Sequence, residues 1–228
     1  MSAAKQAKPV TVSAIAAWLD RELKVSEFDD VSNNGIQIAG DGRKVTAVAF
    51  AVDASAKSIR AAAAAGAQLL VVHHGISWGG GIRRIVGGVY NVVKAAMDAG
   101  IAVYASHLPL DANEKYGNNF NLARYFGLKK LRRAFSYHGN VIGVIGENPQ
   151  GVKVGVCSGG AGSFAEEAKD RGCELYVTGE ADWGEKIAAE NAGAKMILAG
   201  HYETETFGVK ALMPAIANKF KVKVVFVG

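Results

Sequence analysis

At 228 residues, half of them apolar, the chain can bury a core without disulfide or metal staples, as one large domain or as two small lobes. Its two cysteines, Cys157 and Cys173, have no Cys-x-x-Cys spacing, which excludes a disulfide framework and a thiolate zinc site and leaves both as small core residues. The net charge of +5 and a pI near 9.1 suit an anionic partner, a phosphorylated small molecule or a nucleic acid, although each basic run taken singly reads equally well as solvated surface.

Met1 to Pro9 is polar, and Thr11 to Asp20 has helical apolar spacing with neither a secretory apolar core nor a small-residue cleavage pattern, so a soluble, cytoplasmic protein is expected. No apolar stretch reaches the roughly 20 residues that a bilayer-spanning helix requires. Asn34-Gly35 reads as a turn. From there the chain alternates short apolar runs with alanine-rich helical segments, the rhythm of α/β units. The expected strands are Val45–Val52, Ala67–Val72, Ile101–Ala105, Val152–Cys157, Glu174–Val177, Lys195–Leu198 and Lys221–Val227. The expected helices between them are Ser58–Ala65, Val89–Ala99, Ser163–Arg171, Lys186–Ala192 and Tyr202–Ile216. Leu128 to Gly151 breaks the rhythm with the basic run Lys129-Lys130-Leu131-Arg132-Arg133, a Tyr-His-Gly turn and a polar loop, and reads as the seam between two packed lobes of one 228-residue domain.

Of five histidines in the chain, four lie at the carboxyl ends of expected strands: His73 and His74 after Leu69-Leu-Val-Val, His107 after Ala102-Val-Tyr-Ala-Ser, and His201 after Met196-Ile-Leu-Ala-Gly. That edge of an open α/β sheet is where ligands bind. Adjacent histidines on a regular strand point to opposite faces, so His73 and His74 converge only if the strand ends there; Gly75 permits a turn. His201 and Glu205 are four apart at the start of an expected helix, on one face of its first turn. His107 and Asp111 repeat that spacing, but Pro109 argues for a loop between them. Three or four imidazoles and two carboxylates without a thiolate suit Zn²⁺, Mn²⁺, Fe²⁺ or Ni²⁺ and not Ca²⁺ or Cu⁺. Five ligands are enough for two metals with open positions. Two divalent ions against two carboxylates leave about +2, a balance suited to hydrolysis of an anionic substrate.

The pieces Asn34-Gly-Ile-Gln37, Val52-Asp53-Ala54, Val72-His73-His74-Gly75 with Trp78, His107-Leu-Pro-Leu-Asp111-Ala112, Gly117-Asn118-Asn119, Cys157-Ser-Gly-Gly160, Thr178-Gly-Glu180 and Gly200-His201-Tyr202 with Glu205 run nearly the whole chain. In this order and combination the sequence resembles the NIF-three-like proteins, often labelled GTP cyclohydrolase 1 type 2 homologs. The resemblance implies two packed α/β lobes with mixed sheets flanked by helices, in the short form without an inserted middle domain. It implies self-association as a toroidal homohexamer and a dinuclear centre whose ligands fall on His73, His74, Asp111, His201 and Glu205, with Glu205 between the metals. His107 then stands beside the ligands as a proton-transferring or hydrogen-bonding group.

The function expected is a metal-dependent hydrolase, with GTP suggested by the family label and the guanine ring opened at C8 with loss of formate. The competing readings are a non-enzymatic metal-binding or regulatory partner protein and a nucleic-acid-binding ring. Among further residues, Ser158-Gly-Gly-Ala-Gly162 lies between a strand and a helix, where its amides can cradle a phosphate or its glycines can serve close packing. Asp53 and Glu180 end strands at the same edge, and His138 has no assigned role.

Overall fold

Runs of β-branched residues and alanine that are apolar at every position can bury both faces of a strand, which is what a parallel sheet covered by helices demands. A computed structural model describes residues 9–228, so the polar start at Met1 to Lys8 lies outside the described residues. In chain order the elements are α1 (Val12–Leu23), β1 (Gly35–Ile38), β2 (Ala47–Asp53), α2 (Ala56–Ala64), β3 (Leu69–His74), α3 (Gly87–Ala99), β4 (Ala102–Ala105), α4 (Leu108–Ala112), α5 (Asn118–Tyr125), β5 (Lys129–Tyr137), β6 (Asn140–Glu147), β7 (Lys153–Gly160), α6 (Ala165–Asp170), β8 (Leu175–Glu180), α7 (Trp183–Ala192), β9 (Met196–Leu198), α8 (His201–Phe220) and β10 (Lys223–Phe226).

Two five-stranded mixed sheets result, ordered β1-β4-β3-β2-β10 and β5-β6-β7-β8-β9. In the first, β10, β2, β3 and β4 are parallel and β1 is antiparallel at the edge. In the second, β7, β8 and β9 are parallel, and the hairpin β5–β6 adds antiparallel strands. Strand alternation divides each sheet between two cores. From β2, Val48, Phe50 and Val52 pack with α1 and α8, while Ala47, Ala49 and Ala51 face α2 and α3. From the second sheet, Val154, Val156 and Val177 pack with α5 and Phe207 of α8. Cys157 and Tyr176 face the alanines of α6 and α7, and Cys173 joins that core, so both cysteines are buried as expected.

The helix α8 ties the two sheets together, resting on β2, β3 and β10 of one and on β7 and β8 of the other. Val209, Leu212 and Ile216 belong to the first core, Phe207 to the second. Among the described residues no helix is long and apolar enough to cross a membrane.

All seven expected strands are present, with ends moved by up to three residues. Three strands were not anticipated. Within the stretch read as a seam, β5 and β6 form a hairpin whose turn residues His138 and Gly139 both have positive φ, 46° and 76°. The charges of β5 face solvent on a sheet edge, and so give no apolar alternation to read. The loop expected at Pro109 is corrected: Leu108–Ala112 is helical, because proline in the first turn lacks an N–H that would have no intrahelical partner anyway.

Leu212 is fully buried on α8. Leu212→Ala is expected to lower stability by about 2–5 kcal/mol, read from the midpoint of denaturant unfolding, because the helix that joins the two sheets loses its central contact.

Candidate metal centre

The carboxyl ends of the parallel strands of the two sheets meet at the amino end of α8, and the histidines stand there. His73 and His74 close β3, His107 caps α4 just after β4, and His201 opens α8. Glu205, one turn into α8, is 3% exposed and lies at the middle of the group. Its Oε1 is 3.5 Å from His73 Nε2 and 3.1 Å from His201 Nε2, and its Oε2 is 3.3 Å from His74 Nε2. Asp111 Oδ2 lies 3.6 Å from His73 Nε2. His73 and His74 reach the same carboxylate from the two faces of β3 because the strand ends against α8. Gly75 adds closeness rather than a left-handed turn: a Cβ there would run into Gln37, whose Oε1 accepts from the amides of Ile76 and Ser77 at 2.6 and 3.0 Å.

Each of the four imidazoles is held from behind at Nδ1. His73 donates to the Ser106 carbonyl at 3.0 Å, His74 to Asp53 at 2.9 Å and His107 to Asp30 at 2.9 Å, and His201 Nδ1 is ion-paired with Glu180 Oε1 at 3.0 Å. With an acceptor at Nδ1, the Nδ1–H tautomer is favoured and the Nε2 lone pair is available inward, as in metal-binding histidines. Asp111 is steadied in the same way, its Oδ1 accepting from Asn118 at 2.8 Å and from the Ser158 hydroxyl at 3.1 Å.

His73 Nε2 and Glu205 Oε2 are buried with no hydrogen-bond partner. An unsatisfied buried polar group costs about 1–3 kcal/mol. Two such atoms turned toward one another's neighbours fit a bound cation. His73, His74 and His107 form one group of donor atoms within 4.8 Å of one another, and His74, His201 and Glu205 form a second, so the residues present could hold a metal. Without a thiolate, imidazole and carboxylate donors suit a divalent first-row ion.

The charges explain how this cluster survives burial without a metal. Burial works to lower the His73 pKa, but the Asp111 and Glu205 carboxylates raise it to about 9. The hydrogen bond to Glu205, aided by Glu180, raises His201 to about 9 as well. Burial pushes Glu205 upward, yet the positive charge of the facing His73, with His201 and His74 beside it, holds it well below the usual carboxylate range.

Three supporting residues have no sequence spacing that links them to the histidines they hold. Asp30, 77 residues before His107, has an almost fully buried side chain that accepts from His107 Nδ1, the amides of Ser32 and Leu108 and the Asn34 side chain. Asn34 Oδ1 takes the His107 amide at 2.8 Å, so Asn34 does more than turn the chain. Trp78 sets its ring edge-on to His107 at 5.1 Å. In the Ser158–Gly162 segment, the amides of Ser158, Gly159 and Ala161 already donate to Asn119, Thr204 and Thr178. The glycines there serve packing: Gly159 has φ +68°, and a Cβ on it would run into Glu205 Oε1.

The family model for Duf34/NIF3 (NGG1p interacting factor 3) matches residues 10–154 and 138–228. The chain belongs to the Duf34/NIF3 family. The two matched segments overlap, so this family member has no stretch between them for an inserted domain. It is 40% identical over 242 aligned residues to a protein of Pyrococcus horikoshii named GTP cyclohydrolase 1 type 2 homolog, covering 93% of this chain and 96% of that one. A solved ybgI protein of unknown function superimposes with a TM-score of 0.87 at 26% identity, covering 96% of this chain and 98% of that one. A solved protein of Thermus thermophilus gives a TM-score of 0.79 at 32% identity, with the same coverage. The two-lobed fold of mixed sheets flanked by helices is therefore that of the family.

A histidine whose folded pKa is raised stabilises the fold fully below its ordinary 6.5 and ceases to do so as pH rises through the folded value near 9. The lowered Glu205 contributes above its ordinary 4.5 and loses that contribution only as pH falls through its depressed value. In chelator, the melting temperature is expected to fall from pH 6.5 to 9.5, and Glu205→Gln to flatten that slope; an unchanged slope in the variant would separate Glu205 from the effect.

Proposed function

We propose that this family member is a dinuclear metal-dependent hydrolase, in which His73, His74, Asp111, His201 and Glu205 would hold two divalent ions of zinc, iron, manganese or nickel. The observation that carries this reading is the inward convergence of the histidine Nε2 atoms on a buried carboxylate, with His73 Nε2 and Glu205 Oε2 left without hydrogen-bond partners. Two such ions, when bound, supply Lewis-acid activation of water and stabilise the negative charge that develops on the substrate.

The chain's own residues do the rest. Asp53, Glu180 and the Ser106 carbonyl fix the tautomers of His74, His201 and His73, and Asn118 with Ser158 aims Asp111. His107 has its Nδ1 tied to Asp30, so Nε2 is the atom that takes or returns a proton beside the bound substrate. Burial pushes the Asp30 carboxyl up, but its hydrogen bond to His107 and the charge of that imidazole hold it low, which keeps it an acceptor. The name carried by the Pyrococcus horikoshii relative supports a purine nucleotide as the substrate class, with hydrolytic opening of the guanine imidazole ring as the reaction.

Elemental analysis of untagged protein tests the centre. Wild type should carry about two metals per chain and Glu205→Ala should lose them; a wild type that stays empty after reconstitution with zinc, manganese and iron would end the hydrolase reading and leave a binding or regulatory protein. A second measurement separates His107 from the ligands. His107→Gln should keep both metals while turnover on a nucleotide substrate drops roughly 10²- to 10⁴-fold, and Asp30→Asn should shift the pH profile of turnover. Loss of one metal in His107→Gln would make His107 a ligand instead.

A further inference from the structure

A cavity of about 380 Å³ opens beside the centre, with His74, Asp111, His201 and Glu205 on one side. That volume lies toward the small end of ligand sites, which run about 300–1,000 Å³. Its lining also includes the apolar side chains of Leu108, Ile142 and Phe164 and the ring of Tyr137. Phe164 is fixed by stacking on buried Phe135, with ring centroids 5.6 Å apart and planes 26° off parallel. Tyr137 stands at the end of β5, is 42% exposed, and is placed by a hairpin whose tip is tied across to the first lobe, Asn140 Nδ2 donating to the Asp29 carbonyl at 2.7 Å. An exposed aromatic ring on a tethered hairpin is a preorganised stacking surface.

The charge lining the cavity is the opposite of that of the whole chain. Among the described residues, three carboxylates line it (Asp111, Glu180 and Glu205) and no lysine or arginine does. In the glycine-rich segment the amides of Ser158, Gly159 and Ala161 are already engaged within the protein and are not free to meet a phosphate. Two divalent ions would bring four positive charges against these three negative ones, a balance of about +1. A triphosphate's negative charges would then be left partly desolvated and unpaired, which is costly.

We propose that this cavity selects a planar heteroaromatic ring of low charge, a nucleobase or nucleoside, with Tyr137 as a stacking residue and any phosphate chain left outside. The inference rests on the metal-centre reading above and names its substrate class. It makes the ring, not the phosphates, the source of affinity.

Calorimetric titration of the metal-loaded full chain with guanosine, GTP and inorganic phosphate tests it, with metal content measured on the same sample. Guanosine is expected to bind within about threefold of GTP, inorganic phosphate not to compete, and Tyr137→Ala to weaken guanosine roughly five- to a hundredfold, the span that base–aromatic stacking covers. Tyr137→Phe, which keeps the ring, should bind as wild type does. GTP binding without guanosine binding, binding of neither, or an unaffected Tyr137→Ala would overturn the proposal while leaving a metal-loaded centre intact. A sample that takes up no metal would overturn the centre and this inference with it.

Discussion

A carboxylate buried in a protein interior must be matched by positive charge or donors, and the site is built around that demand. Glu205 is 3% exposed, and imidazoles from β3, with His201 one turn back along α8, face its two oxygens. Removing either side leaves the other uncompensated, which is far more costly than never having built the pair. The end of β3, the loop before α4 and the first turn of α8 are therefore held to one place by charge as well as by packing.

The second sheet serves this arrangement as much as the first. Glu180 at the end of β8 holds His201, Ser158 of β7 holds Asp111, and Gly159 makes room for the Glu205 carboxylate. The hairpin β5–β6 reaches back to the first lobe through Asn140 and Asp29, next to the Asp30 that holds His107. Each inward-facing group is thus backed by a residue from a different stretch of chain, which orients it toward the centre.

Local and global electrostatics run in opposite directions. The chain carries a net charge of +5, yet the cavity beside the centre is lined by carboxylates without a lysine or arginine among the described residues. Much of the positive charge stands on exposed strands such as β5, where Lys130 meets Glu147 and Arg133 meets Glu114 at the surface. Exposed pairs of this kind contribute about 0–1 kcal/mol each, and they say little about the ligand. The composition suggested an anionic partner, whereas the lining of the cavity is acidic and apolar and includes no basic side chain among the described residues.

The sequence alone determined the α/β class, the seven strands marked by apolar runs, and the grouping of four histidines at strand ends, because these are patterns of neighbouring residues. His201 and Glu205 were legible as a pair because helical spacing is local. Tertiary structure alone decided that His73 and His74 converge, that Asp30 holds His107 across 77 residues, and that a charged hairpin places Tyr137 over the cavity. Those relations depend on where two sheets and one shared helix bring distant segments together. A hydrogen bond between residues far apart in the chain leaves no periodicity along it to read.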